Sequence, residues 1–122
     1  MKKKLIAGNW KMNGGLAANE GLVRGLLAGL ASAPSCDIAV AVPAPYLAQV
    51  QALTAGSPIA LASQDVSAHA SGAYTGESAA GMLKEFDVRY ALVGHSERRQ
   101  YHGESDAVVA EKARQALAAG IT

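Results

Sequence analysis

Short apolar runs alternate with helix-periodic stretches along the whole chain, and this alternation most constrains what it can fold into. Residues 4–8, 37–42, 59–62 and 89–93 read as strands, because each is brief, apolar and bounded by Gly, Pro or charged residues. Residues 17–31, 46–55, 78–86 and 105–119 read as helices. In the first of these, Val23, Leu26, Leu27 and Leu30 fall at i, i+3, i+4 and i+7. In the second, Leu47, Val50 and Leu53 share a face. Pro43 and Pro45 stop the second strand, Ser105 stands where it can cap the last helix, and Gly120 sits where a C-terminal cap belongs. Gly21, Gly25 and Gly29 each weaken the first helix by about 1 kcal/mol relative to Ala, so it needs its neighbours to stay folded. Continuous apolar strands joined by helices imply a parallel sheet covered on both faces. The expectation is an α/β fold of four βα units of roughly 25–30 residues each, with no linker between them.

Bulk properties narrow the function. Half of the 122 residues are apolar, enough for one domain with a core. A net charge of +1 offers no basic field for nucleic acid. Lys2, Lys3 and Lys4 are followed only by Leu5-Ile6-Ala7-Gly8, too short for a signal peptide core or a membrane span. Cys36, the single cysteine, reads as a small residue near a strand start and leaves no internal disulfide or cysteine metal cluster. The carboxylates lack metal-ligand spacing, and no glycine-rich phosphate loop is present. A soluble cytoplasmic protein without cofactor, metal, nucleic-acid or membrane partner is expected.

Candidate chemistry lies just past two strands. Gly94-His95-Ser96-Glu97-Arg98-Arg99 follows the fourth, and Asn9-Trp10-Lys11-Met12-Asn13 follows the first. In parallel α/β folds, ligands bind at the C-terminal ends of strands. A period of two puts Asn9 and Lys11 on one face, with Trp10 turned the other way under a helix. It likewise groups Ala91, Val93, His95 and Glu97. If both strands line one sheet or barrel, Asn9, Lys11, His95 and Glu97 converge on one mouth. There Lys supplies a fixed cation and Asn a neutral donor, while His donates a proton or hydrogen bond to a developing oxyanion. Such a set suits enolisation of a carbonyl compound that also bears phosphate. A satisfied structural histidine beside a solvated ion-pair cluster of Glu97, Arg98 and Arg99 is the alternative on these residues alone. His69 and His102 lie in polar stretches and are given no role.

Gly8-Asn9-Trp10-Lys11-Met12-Asn13, Gln64-Asp65-Val66-Ser67, Gly72-Ala73-Tyr74-Thr75-Gly76-Glu77 and Gly94-His95-Ser96-Glu97-Arg98-Arg99 together resemble the triosephosphate isomerase family. Tyr101-His102-Gly103-Glu104-Ser105-Asp106 resembles its bacterial form. The resemblance runs from end to end and implies strands 1–4 and helices 1–4 of a (βα)8 TIM barrel, so that residues 1–122 form its N-terminal half, a single incomplete domain. It implies a cofactor-free interconversion of dihydroxyacetone phosphate and glyceraldehyde 3-phosphate. By motif match, Asn9 and Lys11 bind the small phosphorylated triose, with Lys11 offsetting its charge. His95 is the catalytic electrophile, kept neutral by the helical turn that follows it, a feature for which this family is itself the standing example. Ser96 and Glu97 support the site, Glu97 near Lys11, and Arg98 with Glu104 is a structural ion pair. The polar excursion from Gln64 to Glu77 reaches into the partner of a homodimer, placing Thr75 beside the other active site; fifteen or so residues of loop are uncommon unless functional.

The family's general base is a glutamate after a sixth strand, and its phosphate is held after strands six to eight. Ala118 to Thr122 reads as a helix end followed by the opening of another strand, as if cut at the threshold of a fifth unit. The chain alone is therefore expected to be inactive and to need the C-terminal half as partner. A non-catalytic half-barrel acting as a structural or self-associating module is the alternative. A small doubly wound binding domain is a third reading, and strand order separates it: sequential for a barrel segment, reversed for the doubly wound fold.

Overall fold

The strands pair in the order in which they occur. In the computed structural model, which describes residues 2–30 and 34–122, β1 (Leu5–Asn9), β2 (Asp37–Val42), β3 (Ile59–Ser63) and β4 (Val88–Ala91) form one parallel sheet in the order β1-β2-β3-β4. Sequential order excludes the doubly wound reading. The helices are α1 (Leu16–Gly29), α2 (Leu47–Thr54, after a 3₁₀ turn at Ala44–Tyr46), α3 (Ala80–Glu85), α4 (Ser96–His102) and α5 (Asp106–Ala118). The expected end of the first helix at Ala31 lies outside the described residues. Among the described residues no helix is long and apolar enough to cross a membrane.

Element ends differ from the sequence reading for local reasons. Strand β1 closes one residue late, at Asn9, while Lys4 keeps a ladder bond by accepting from Asp37 N at 2.8 Å. Strand β4 is shifted to Val88–Ala91, where Arg89 is an extra residue: Leu61 pairs with Val88 but Ala62 with Tyr90. Helix α3 starts at Ala80 rather than Ser78, because Ala79 is extended and the Ser78 carbonyl accepts from Ser67 N at 2.9 Å. The last helix fits closely. Ser105 accepts from Val108 N at 3.3 Å as N-cap, and Gly120, at φ +76°, closes a Schellman end in which Ile121 N reaches Ala116 O at 2.9 Å.

One sheet face carries the main core. Val40, Val42, Ile59, Leu61 and Val88 pack with Val23 of α1, Leu47 and Val50 of α2, Leu83 of α3 and Ala116 of α5. The other face is Ala39, Ala41, Ala60 and Ala62, with Tyr90 and Leu92 packed against them. Both faces are thus buried, as the apolar runs implied, the second by small alanines under Tyr90 and Leu92. A continuous apolar run shows that a strand is buried on both sides, not what buries it, and small alanines let curved strands shelter one another. Strand β1 differs: all five of its residues are exposed. Beside β4, Thr122 N donates to Arg89 O at 3.0 Å and Thr122 O accepts from Ala91 N at 2.9 Å, the pattern of a parallel bridge.

The excursion after β3 is braced by its own side chains. Ser67 Oγ donates to Glu77 Oε1 at 2.6 Å and accepts from His69 N at 3.0 Å. The His69 and Tyr74 rings stack at 3.6 Å, nearly parallel.

Candidate active site

Strand register delivers the first two residues to the mouth. Asn9 ends β1, and its Oδ1 accepts from Lys11 N at 2.8 Å, closing a tight turn in which Lys11 takes φ +54°. Trp10, between them, packs against the main core as the alternation required. Gln64, the first residue past β3, sends its amide across the sheet ends and donates to Lys11 O at 2.7 Å and Ala41 O at 3.0 Å. Gln64, expected only as the base of the partner-reaching loop, thus also holds the lysine's backbone.

Strand β4 delivers the other side. After Gly94, His95 is the N-cap of α4, and its Nδ1 accepts from Glu97 N at 3.1 Å. An accepting Nδ1 carries no proton, so the ring's proton sits on Nε2, which is the donor. Glu97 Oε2 lies 3.8 Å from that same Nδ1 without a hydrogen bond between them. The Glu97 carboxylate is engaged elsewhere: its Oε1 accepts from Lys11 Nζ at 2.7 Å. That hydrogen bond from Lys11 holds the carboxyl below the ordinary carboxylate range, against a smaller opposing effect of desolvation. Asn9, Lys11, Ser63, Gln64, His95 and Glu97 line one cleft of about 580 Å³. A cation and a neutral imidazole N–H donor thus share one cleft, an arrangement that stabilises charge developing on an oxygen.

Two expected site residues stand apart. Ser96 is exposed at the first position of α4, and Thr75 is exposed in the excursion; neither lines the cleft.

A network that sequence reasoning found only in part runs from the cleft wall, where Asp65 and Arg98 lie, into the interior. Arg98 Nε donates to Glu104 Oε2 at 2.8 Å, as expected. Lys112 Nζ also reaches Glu104 Oε2, at 2.7 Å, and Asp65 Oδ1 at 2.8 Å, while Arg98 Nη2 lies 3.2 Å from Asp65 Oδ2. The ring of two cations and two carboxylates joins the end of β3 to α4 and α5. The Lys112 side chain is only 6% exposed. Burial pushes the Glu104 carboxyl up, but the hydrogen bonds from Lys112 and Arg98 outweigh it and leave it below the ordinary range. The overlooked signal was Lys112 itself, a charge one turn before Ala116 on the buried stripe of α5.

The family model described as Triosephosphate isomerase matches residues 4–122. The chain belongs to the triosephosphate isomerase family. It is 69% identical over 123 residues to the triosephosphate isomerase of Paracidovorax citrulli, covering 99% of this chain and 49% of that protein. It is 67% identical to that of Delftia acidovorans, covering 100% of this chain and 49% of the relative. The crystal structure of triosephosphate isomerase from Bartonella henselae superposes with a TM-score of 0.91 at 38% identity, over 99% of this chain and 50% of that one. The chain spans about half the length of the curated triosephosphate isomerases it matches, their N-terminal half, and its four βα units correspond to half of that TIM barrel.

Proposed function

We propose that the cleft is the electrophilic half of a triosephosphate isomerase site, interconverting dihydroxyacetone phosphate and glyceraldehyde 3-phosphate through an enediolate. One observation carries this reading: Glu97 N occupies His95 Nδ1 at 3.1 Å, so the ring offers Nε2–H to the cleft as a neutral donor. A neutral imidazole polarises a carbonyl by hydrogen bonding and shuttles its proton between adjacent oxygens as the enediolate forms. Lys11, placed by Asn9 and Gln64, offsets the substrate's negative charge, and Asn9 adds a neutral contact. Glu97 holds the Lys11 ammonium at the cleft. Ser96, by motif match, supports the site beside His95. No cofactor is needed for proton transfer alone.

The base that takes the substrate's proton is supplied by a glutamate of the barrel's second half, so these residues are inactive by themselves. The site matures in a cytoplasmic homodimer, with the Gln64–Glu77 excursion carrying Thr75 to the partner's site. The self-braced loop and the exposure of Thr75 support that placement. The exposure of every β1 residue favours the second reading, a self-associating half-barrel without catalysis.

The test assays isomerase turnover of the purified chain alone and after co-refolding with the C-terminal half of the Paracidovorax citrulli relative. The expected result is no turnover alone and turnover in the mixture, lowered about 10²- to 10⁴-fold by His95→Gln. Near-enzymic turnover of the chain alone refutes the need for a second half. A cooperatively folded but idle mixture, with tight self-association in sedimentation, moves the conclusion to the structural module.

A further inference from the structure

Arg99 belongs to the same motif as His95, yet the cleft does not use it. Its guanidinium turns away from the mouth and lies against the backbone at Gly94. Arg99 Nε donates to Gly94 O at 3.0 Å, and Nη1 donates to Asp106 Oδ1 at 2.6 Å. The Arg99 backbone N also donates to His95 O, at 3.1 Å. One residue therefore holds both carbonyls that flank the His95 Cα. The second bond is a helix bond that any residue at this position makes; the first belongs to the arginine side chain.

The turn is shaped to admit that side chain. Gly94 has φ +69°, and a Cβ built on it lies 3.2 Å from Arg99 Nη2 and 3.0 Å from Val109 Cγ1. A planar fork can rest on this backbone only because position 94 has no side chain. A surface ion pair does not account for the arrangement, since Asp106 is 95% exposed and such pairs contribute little. Two peptide planes fixed on either side of His95 fix its backbone at φ −58°, ψ 138°. That backbone sets the direction of the imidazole and so its bond from Glu97 N.

From this geometry we infer that Arg99 is a positioning residue for His95. It clamps the peptide before the histidine through its bond to the Gly94 carbonyl, and so holds the ring in its Nε2–H form. The inference deepens the proposed isomerase reading and rests on it for its effect on rate, though not for its effect on the ring.

The test is 15N NMR of the purified protein labelled at histidine, with His95 assigned by its loss in His95→Gln. In the unsubstituted protein, the two His95 nitrogens are expected to be widely separated, the mark of a single tautomer. In Arg99→Met the separation is expected to narrow as tautomers mix. Arg99→Lys keeps a cation for Asp106 but cannot span both oxygens, so it narrows as well. Asp106→Ala, which leaves the Gly94 bond in place, narrows less. Isomerase kcat of the complemented enzyme is expected to fall about tenfold in Arg99→Met with KM nearly constant, the pattern of a misplaced group. An unchanged separation in Arg99→Met overturns the inference, as does full restoration by Arg99→Lys. Should Arg99→Met fail to fold, Arg99→Lys and Asp106→Ala decide by the same readout. Absent turnover in the complemented unsubstituted protein overturns the isomerase reading and leaves the NMR result to judge Arg99.

Discussion

Glu97 and Arg98 are neighbours on α4, yet they enter two ion-pair systems of opposite character. Glu97 faces the cleft, where it pairs with Lys11 while both side chains stay about half exposed. Arg98 turns inward to Glu104 and Asp65, in a ring completed by the nearly inaccessible Lys112. Water screens the first pair, so it adds little to folding, and it can be rearranged by a charged ligand at small cost. In the second, the Lys112 and Glu104 side chains are only 6% and 8% exposed, so these two charges depend on their partners, while Arg98 and Asp65 stay about a third exposed. On the proposed function, the contrast separates a charge placed for chemistry from a charge placed for architecture, although the two share one motif.

The largest effect that sharpens this contrast is expected for Lys112→Met. It strands Asp65 and Glu104 with Arg98 alone and destabilises by about 3 kcal/mol or more in urea unfolding. A loss no greater than that of an exposed lysine breaks the contrast. Next comes Gly94→Ala, which forces a side chain into the left-handed region against Val109. About 1–2 kcal/mol is expected from the backbone alone, read as a lowered unfolding midpoint.

Acid gives a smaller, graded effect. Glu97 and Glu104 both titrate below the ordinary carboxylate range in the folded chain. Each therefore contributes stability above the unfolded carboxylate value and loses it as pH falls through its own depressed value. Because Glu104 is enclosed and Glu97 is not, Glu104→Gln is expected to flatten the acid limb of the stability curve and Glu97→Gln to leave it nearly unchanged. Equal flattening by the two variants counts against a division of labour between the pairs. The smallest effect on stability is expected for Lys11→Met: an unmoved unfolding midpoint, alongside loss of turnover in the complemented enzyme.

The same division explains what the sequence disclosed. The strands, the capped α5 and the pairing of Asn9 with Lys11 and of His95 with Glu97 past strand ends follow from local periodicity. The sequential strand order that brings the two pairs to one mouth was implied only by the family resemblance. Local signals also placed Trp10 on the core. The Lys112–Asp65 contact joins residues 47 positions apart, which no local pattern encodes. Helix α4 has no apolar stripe, so periodicity passed over it and only the family resemblance anticipated its turn. The apolar runs announced burial of both faces but not that Tyr90 and Leu92 would pack against the alanine face, a contact between segments that no single run encodes. Gln64's grip on the Lys11 carbonyl depends on two loops meeting over the sheet ends, again a tertiary fact.

Lys11 carries one further consequence through its φ of +54°. Holding a non-glycine residue in the left-handed region costs about 1–2 kcal/mol, so a glycine here is the comfortable choice for the backbone. Position 11 instead keeps a side chain that strains its own turn, with Asn9 and Gln64 bonding that turn in place. Conformational discomfort of this kind persists where a side chain does something glycine cannot. Lys11→Gly should therefore relax the turn and discard the ammonium together, so that the gain in backbone ease and the loss of chemistry come from one substitution.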